Sequence, residues 1–211
     1  MSVTERKTRP HGDARRRTVL TVATELFSQR GYNAVSIADV AKEAGLSQAG
    51  LLHHFPTKRA LLLAVLQERD RGGDAPTPHG VDFLQAFADA LRHNDATPQL
   101  VQLFALLSAE SISEDHPAHE WFVERYDTLV AELTAEVAAA VDPDKLPAGI
   151  DAETLARWII ALADGLRTQA LLSPESFVRA DSVEAFLSVL RPYLRAEDTE
   201  DPGTVGIPDG Y

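Results

Sequence analysis

Apolar residues recur every three or four positions along almost the whole chain, and no run alternates apolar with polar for long enough to make a strand. That period favours helices, and Ala and Leu hold most of the apolar positions, so the expected fold class is all-α. Breakers set the punctuation. Gly31 closes a first helix running from about Asp13 to Gln29, and two short helices follow over 37–44 and 48–55. A fourth starts after Pro56-Thr57 and reaches about Asp70. The stretch from Arg71 to His79 holds Gly72, Gly73, Pro76 and Pro78 and cannot continue a helix. Beyond it, apolar-periodic segments fall near 81–93, 98–113, 118–141, 151–172 and 181–195. The expected organisation is a flexible basic arm (1–12), a four-helix unit (13–70), a linker (71–79), a larger helical unit (80–195) and a disordered acidic tail (196–211).

Charge divides along the same boundary. The formal net charge is -12. Residues 1–70 carry 11 Lys/Arg against 7 Asp/Glu, a net +4, whereas residues 71–211 carry 9 against 25, a net -16. A basic unit can neutralise phosphates while an acidic one is repelled from them. With no cysteine in the chain, disulfides, thiolate metal sites and cysteine nucleophiles are excluded. No stretch approaches the roughly 20 apolar residues of a membrane span, and the start, Met1-Ser-Val-Thr-Glu-Arg-Lys7, lacks the apolar core of a signal peptide. A cytoplasmic location and no membrane partner are the expectation.

The most informative stretch runs from Ser36 to Pro56. Ser36 is a good N-cap, with Asp39 three residues on to answer it, and Ile37, Val40 and Ala41 form an apolar stripe. Gly45 supplies the left-handed residue that stops this helix, Leu46 plugs the turn, and Ser47 caps the next helix. A short helix, a glycine turn and a second short helix make a helix-turn-helix. At 100° per residue, Leu51 and Phe55 of the second helix point inward, with His54 beside them. Ala49 and His53 point outward, flanked by Gly50 and Leu52, with Gln48 at the leading end. Such an outward face can lie in a major groove, Gln48 and His53 bonding to base edges while Ala49 and Leu52 touch thymine methyls. Gly50 lets the backbone approach closely. The helix starts at Ser36 and Ser47 offer N–H groups to phosphates, and Lys58 adds a charge at the start of the fourth helix. Arg15, Arg16, Arg17 and the arm around Arg6, Lys7 and Arg9 can reach neighbouring phosphates or a minor groove.

The run from Gly31 to Lys58, GYNAVSIADVAKEAGLSQAGLLHHFPTK, resembles the DNA-binding signature of the TetR/AcrR regulators. The resemblance implies a homodimer on double-stranded operator DNA, repression relieved by a small-molecule effector, and a phosphate contact from Lys58. Two positions depart from the family pattern. Gly50 stands where members often have Thr, and Leu52 where they usually have a Tyr that holds the DNA backbone, so Leu52 is not assigned that contact. The rival reading, an all-helical ligand carrier or enzyme without specific DNA binding, has no Ser–His–Asp order, phosphate loop or dinucleotide fingerprint behind it. No cofactor and no catalytic residue are expected.

In the acidic unit, the resemblance implies an effector pocket. Residues that interrupt apolar helices are candidates to line it: Gln102, Phe104, Trp121, Arg125, Trp158 and Gln169. Leu155, Ile159, Leu162 and Leu166 make one apolar stripe; Val183, Phe186, Leu187, Leu190 and Leu194 make another. Each suits either a dimer interface or the chain's own core, and Gly165 would permit close helix approach. His116 and His119, three apart beside Glu120, have helical metal-ligand spacing, but Pro117 between them marks a helix start and no matching Glu-x-x-His occurs elsewhere. No metal is expected. The adjacent His53 and His54 diverge by about 100° on a helix and cannot chelate together.

Overall fold

The computed structural model describes residues 10–70 and 78–195. Residues 1–9 of the expected arm (1–12), most of the linker (71–77) and the tail (196–211) lie outside the described residues, and residues 10–12 of that arm are helical. Nine α-helices occur among those described: α1 (Pro10–Ala34), α2 (Ile37–Glu43), α3 (Gln48–His54), α4 (Lys58–Asp70), α5 (Val81–Asp95), α6 (Pro98–Glu110), α7 (His119–Ala140), α8 (Ala152–Leu172) and α9 (Arg179–Val189). No strand forms among the described residues, so the all-α expectation holds.

Several boundaries differ from the sequence reading, three of them for a clear local reason. Helix α1 starts at Pro10, three residues before Asp13, since proline is well suited to a first helical position. It also runs formally to Ala34, although Gly31 breaks it with φ 74° and ψ 166°. The segment expected as one helix over 181–195 stops at Val189, and Arg191–Tyr193 turns as a 3-10 helix. Pro192 has no N–H to give the preceding turn, and its ring would strike the carbonyl four residues back. The chain past it instead joins the α7–α8 connection: Asp142 N–H donates to Tyr193 O at 2.8 Å, and Arg195 N–H to Ala140 O at 2.9 Å.

Apolar burial falls into two clusters. The second gathers Leu84, Leu133, Val137, Leu155, Ile159, Ile160 and Leu190 from α5, α7, α8 and α9. The first holds the N-terminal helices together through Val19, Phe27, Leu51, Leu61 and Leu66, yet it also contains Leu103, Phe104 and Leu107 of α6 and Phe122 of α7. Thus α6, which lies beyond the linker in sequence, packs along α1 and belongs to the core of the N-terminal unit. The leucines and phenylalanines of this shared core are close to fully buried, and each such side chain stabilises by roughly 1.5–3 kcal/mol. The head is thereby anchored to the body.

Candidate nucleic-acid interface and effector cavity

Reciprocal caps position the reading helix. Ser36 Oγ accepts from Asp39 N–H at 3.1 Å, and Asp39 Oδ2 accepts from Ser36 N–H at 2.8 Å. The Ser36 hydroxyl and N–H hold the Asp39 carboxyl below its ordinary range. Gly45 turns the chain at φ 66°, and Ser47 Oγ accepts from Gly50 N–H at 3.1 Å. Helix α3 then buries Leu51, while Phe55 closes its C-terminal end, buried beneath the Arg16 guanidinium at 5.1 Å from the ring centre. Anchoring these two residues turns the other side of α3 outward. Gln48, Ala49 and His53 are exposed, and Gly50 and Leu52 are half-buried beside them. Ser36 and Ser47 are exposed at the helix starts.

Lys58 sits differently. Its Nζ lies 4.0 Å from the centre of the Tyr32 ring, half-buried, and desolvation pushes its pKa down while Glu110 pulls it up. Tyr32 belongs to the Gly31 turn, and its N–H donates to Glu110 Oε2 at 3.1 Å. The other oxygen, Oε1, rests against Gly31 where any Cβ would stand. Glu110 is the last residue of α6, so one carboxylate from the body clasps the turn that leads into the helix-turn-helix. On the far side of that carboxylate, His116 Nε2 is 3.6 Å from Glu110 Oε2 and has no hydrogen-bond partner among the described residues. Its Nδ1 accepts from Ala118 N–H at 3.3 Å and meets Ser111 Oγ at 2.8 Å. His119 Nδ1 meets Ser111 O at 2.8 Å. Both histidines therefore fold the 111–118 loop onto α6, and α7 starts immediately after Pro117 and Ala118. Tyr32 and Glu110 were not singled out from the sequence, since nothing local marks a contact between residues 78 positions apart.

A cavity of about 140 Å³ lies among α5, α6, α7, α8 and the start of α9. Phe104 and Arg125, two of the pocket candidates, line it, and Trp121 lines an adjoining groove together with Arg125. Gln102 and Gln169 are exposed and Trp158 is 48% exposed; none of the three lines this cavity. The sequence reading missed Tyr126, Asp164, Arg167 and Arg179, which do. Charges interrupting the apolar run of α8 were the available signal.

With this geometry in place, comparison with known proteins identifies the family. The profile of bacterial regulatory proteins of the tetR family matches residues 19–65, and that of the BetI-type transcriptional repressor C-terminal domain matches residues 82–196. HTH-type transcriptional regulator RutR of Escherichia coli (strain K12) is 29% identical over 134 residues, 61% of this chain and 58% of RutR. The chain thus spans under two thirds of that relative's length. HTH-type transcriptional regulator SrpR of Pseudomonas putida is 24% identical over 179 residues, 81% of each chain. Among solved structures, a TetR transcriptional regulator from Chloroflexus aurantiacus superposes with a TM-score of 0.71 at 25% identity, covering 89% of this chain and 99% of that one. A regulator from Saccharomonospora viridis in complex with choline gives 0.66 at 21% identity, covering 87% and 100%. Profiles matching both the helix-turn-helix and the helical body, on a fold that superposes with solved regulators over most of its length, establish that this chain belongs to the TetR family of bacterial regulatory proteins.

Proposed function

We propose that the protein is a cytoplasmic, homodimeric repressor that binds a pseudo-palindromic operator through α3 and leaves it when a small molecule enters the body. The observation that carries this is the outward face of α3, where Gln48, Ala49 and His53 stand exposed on a helix capped at its start and anchored by Leu51 and Phe55. In this reading Gln48 and His53 meet base edges, Ala49 and Leu52 meet methyls, and Gly50 allows close approach. Ser36, Ser47 and Lys58 hold phosphates. One short helix reads only a few base pairs, so two copies are needed for useful specificity.

The cavity is the proposed effector site. A ligand that presses on Phe104 acts on α6, whose last residue clasps the Gly31 turn, so a small shift of α6 re-aims the reading helix without covering it. Operator DNA must then weaken the effector by the same factor that the effector weakens DNA.

Paired binding assays on an operator-containing fragment and on random DNA test the reading. His53→Ala is expected to cost about 1–3 kcal/mol on the operator and to relax preference at one position per half-site. Lys58→Ala is expected to weaken binding to both fragments and to flatten the salt dependence. Equal losses on both fragments from His53→Ala would remove α3 from the bases.

A further inference from the structure

The junction between head and body holds a buried donor that neither the reading face nor the cavity uses. His116 lies in the loop between α6 and α7 with its side chain 3% exposed. Its Nδ1 accepts from Ala118 N–H at 3.3 Å, and a backbone N–H can only donate. Burial lowers the His116 pKa below 6.5, so at pH 7 the ring is neutral and carries its single proton on Nε2. The Ser111 hydroxyl then donates to Nδ1 at 2.8 Å, which pins the ring to its loop. Nε2–H is left buried, with no hydrogen-bond partner among the described residues.

An acceptor stands just out of reach. Glu110 Oε2 is 3.6 Å from Nε2, beyond the roughly 2.7–3.2 Å of a hydrogen bond. The same oxygen accepts from Tyr32 N–H at 3.1 Å, and Oε1 fills the space beside Gly31 where a Cβ would stand. While the carboxylate is held on the Gly31 turn, the gap to Nε2 stays open. An unpaired buried donor destabilises that arrangement, and moving the carboxylate about 0.5–1 Å closer recovers the loss. Rotation of the Glu110 side chain achieves this without parting α1 from α6, whose leucines and phenylalanines share one core.

What the carboxylate leaves behind is the Tyr32 backbone, and Tyr32 carries Lys58. The Lys58 ammonium lies 4.0 Å from the Tyr32 ring centre, and the His116 ring meets the same ring edge-on at 5.2 Å. Loss of the Tyr32 N–H bond therefore loosens the seat of the cation at the start of α4. A second polar contact across the junction, Arg59 to Glu120 at 3.2 Å, is mostly exposed on both sides and contributes little to holding that seat.

We propose that Glu110 is a two-position latch and that His116 is the residue that positions it. In the clasped state the carboxylate holds Tyr32 N–H, as in this structure. In the released state His116 Nε2–H captures it, freeing the Gly31 turn and, through Tyr32, the Lys58 side chain. The unpaired donor of one state is satisfied in the other, which narrows the gap between them and makes the pair switchable. The purpose of the latch rests on the repressor reading above, whereas its existence rests on this geometry alone.

Hydrogen exchange on the full chain at pH 7, followed residue by residue by NMR, tests it. The Tyr32 amide reports release of the latch, and the amides of Leu61 and Leu66, buried in the head, report wider opening. His116→Asn keeps an acceptor at the Nδ1 position but has no donor at Nε2. It is expected to slow Tyr32 exchange at least about fivefold relative to the core amides. His116→Gln places an amide donor near the Nε2 position and sacrifices the Nδ1 acceptor, so Tyr32 exchange should stay near the wild-type rate. In a Glu110→Ala background, where no carboxylate remains to be captured, the effect of His116→Asn should vanish. Exchange at Tyr32 that is unchanged or faster in His116→Asn, equal slowing in both His116 variants, or slowing that persists without Glu110 would each overturn the latch. Dividing by the core amides keeps the result readable should a variant lose overall stability. The DNA link is scored separately. Saturating operator-containing DNA should slow Tyr32 exchange further in the wild-type protein; no such slowing removes the link to the repressor reading and leaves the latch standing.

Discussion

Gly31 illustrates how much can rest on one residue. With φ 74° and ψ 166° it occupies a region open essentially to glycine, and an added Cβ would overlap Glu110 Oε1. Gly31→Ala is therefore expected to destabilise the protein by about 2–3 kcal/mol, from backbone strain plus displacement of the carboxylate from Tyr32 N–H. Urea unfolding at fixed chain concentration measures it. Adding Glu110→Ala removes the overlap but not the strain, so the double variant should lose less than the sum of the single ones. Additive losses would mean that the carboxylate does not bear on the glycine. At this scale the sequence was legible wherever the signal was local. Ser36, Asp39, Gly45 and Ser47 could be assigned as caps and turn because capping depends on neighbours three residues away. Gly31 could be read as a helix terminator, but not as the seat of Glu110, because that role depends on a residue from another helix.

The loop between α6 and α7 carries the clearest pH signature among the elements. His116 is buried, which lowers its pKa below 6.5; Glu110 opposes that shift and Lys58 adds to it. The Tyr32 ring also faces it, edge-on at 5.2 Å. Since the unfolded chain then takes up the proton more readily, stability is full above pH 6.5 and falls as the pH drops from there towards the folded value. His116→Asn keeps an acceptor for Ser111 and Ala118 but cannot titrate, so its melting temperature should fall less between about pH 7 and pH 5.5. Parallel slopes for the two proteins would place the titration elsewhere. The carboxylates of Asp39, held down by the Ser36 hydroxyl and N–H, and of Glu136 and Asp151, held down first by backbone N–H donors, act in a lower window. Their contribution is present above their unfolded values of 3.8–4.5 and is lost only as the pH falls below these. Element type and order were readable because a 3.6-residue period persists through α4 to α8. The partner of each face was not. Periodicity showed that Leu103, Phe104 and Leu107 are buried, but not that they are buried against the N-terminal unit.

The same ambiguity governs assembly of the whole molecule. Leu155 and Ile159 of the first candidate dimer stripe, and Val183 and Leu190 of the second, are buried within the chain itself. Two neighbouring stripes remain exposed instead. On α8, Trp158, Gly165 and Leu172 recur seven apart with Ala161 between them; at α9, Val178, Ala185 and Val189 lie along one side. Apolar area of this kind is what a homodimer interface covers. Trp158→Glu combined with Val189→Glu is expected to yield folded monomers in sedimentation and to weaken operator binding, while Leu190→Glu unfolds the chain. A double variant that remains dimeric would move the interface off these stripes. Beyond assembly, the clasp between Glu110 and Gly31 governs how far this protein is interchangeable with its relatives. A designer who grafts another regulator's reading head onto this body transfers the turn but leaves the glutamate behind. Where the donor has a side chain at that position, the graft meets the carboxylate and the junction is forced open. Hybrid sensors built on this body should therefore inherit signalling only from heads that bring a glycine there, or from bodies in which Glu110 has been shortened to match.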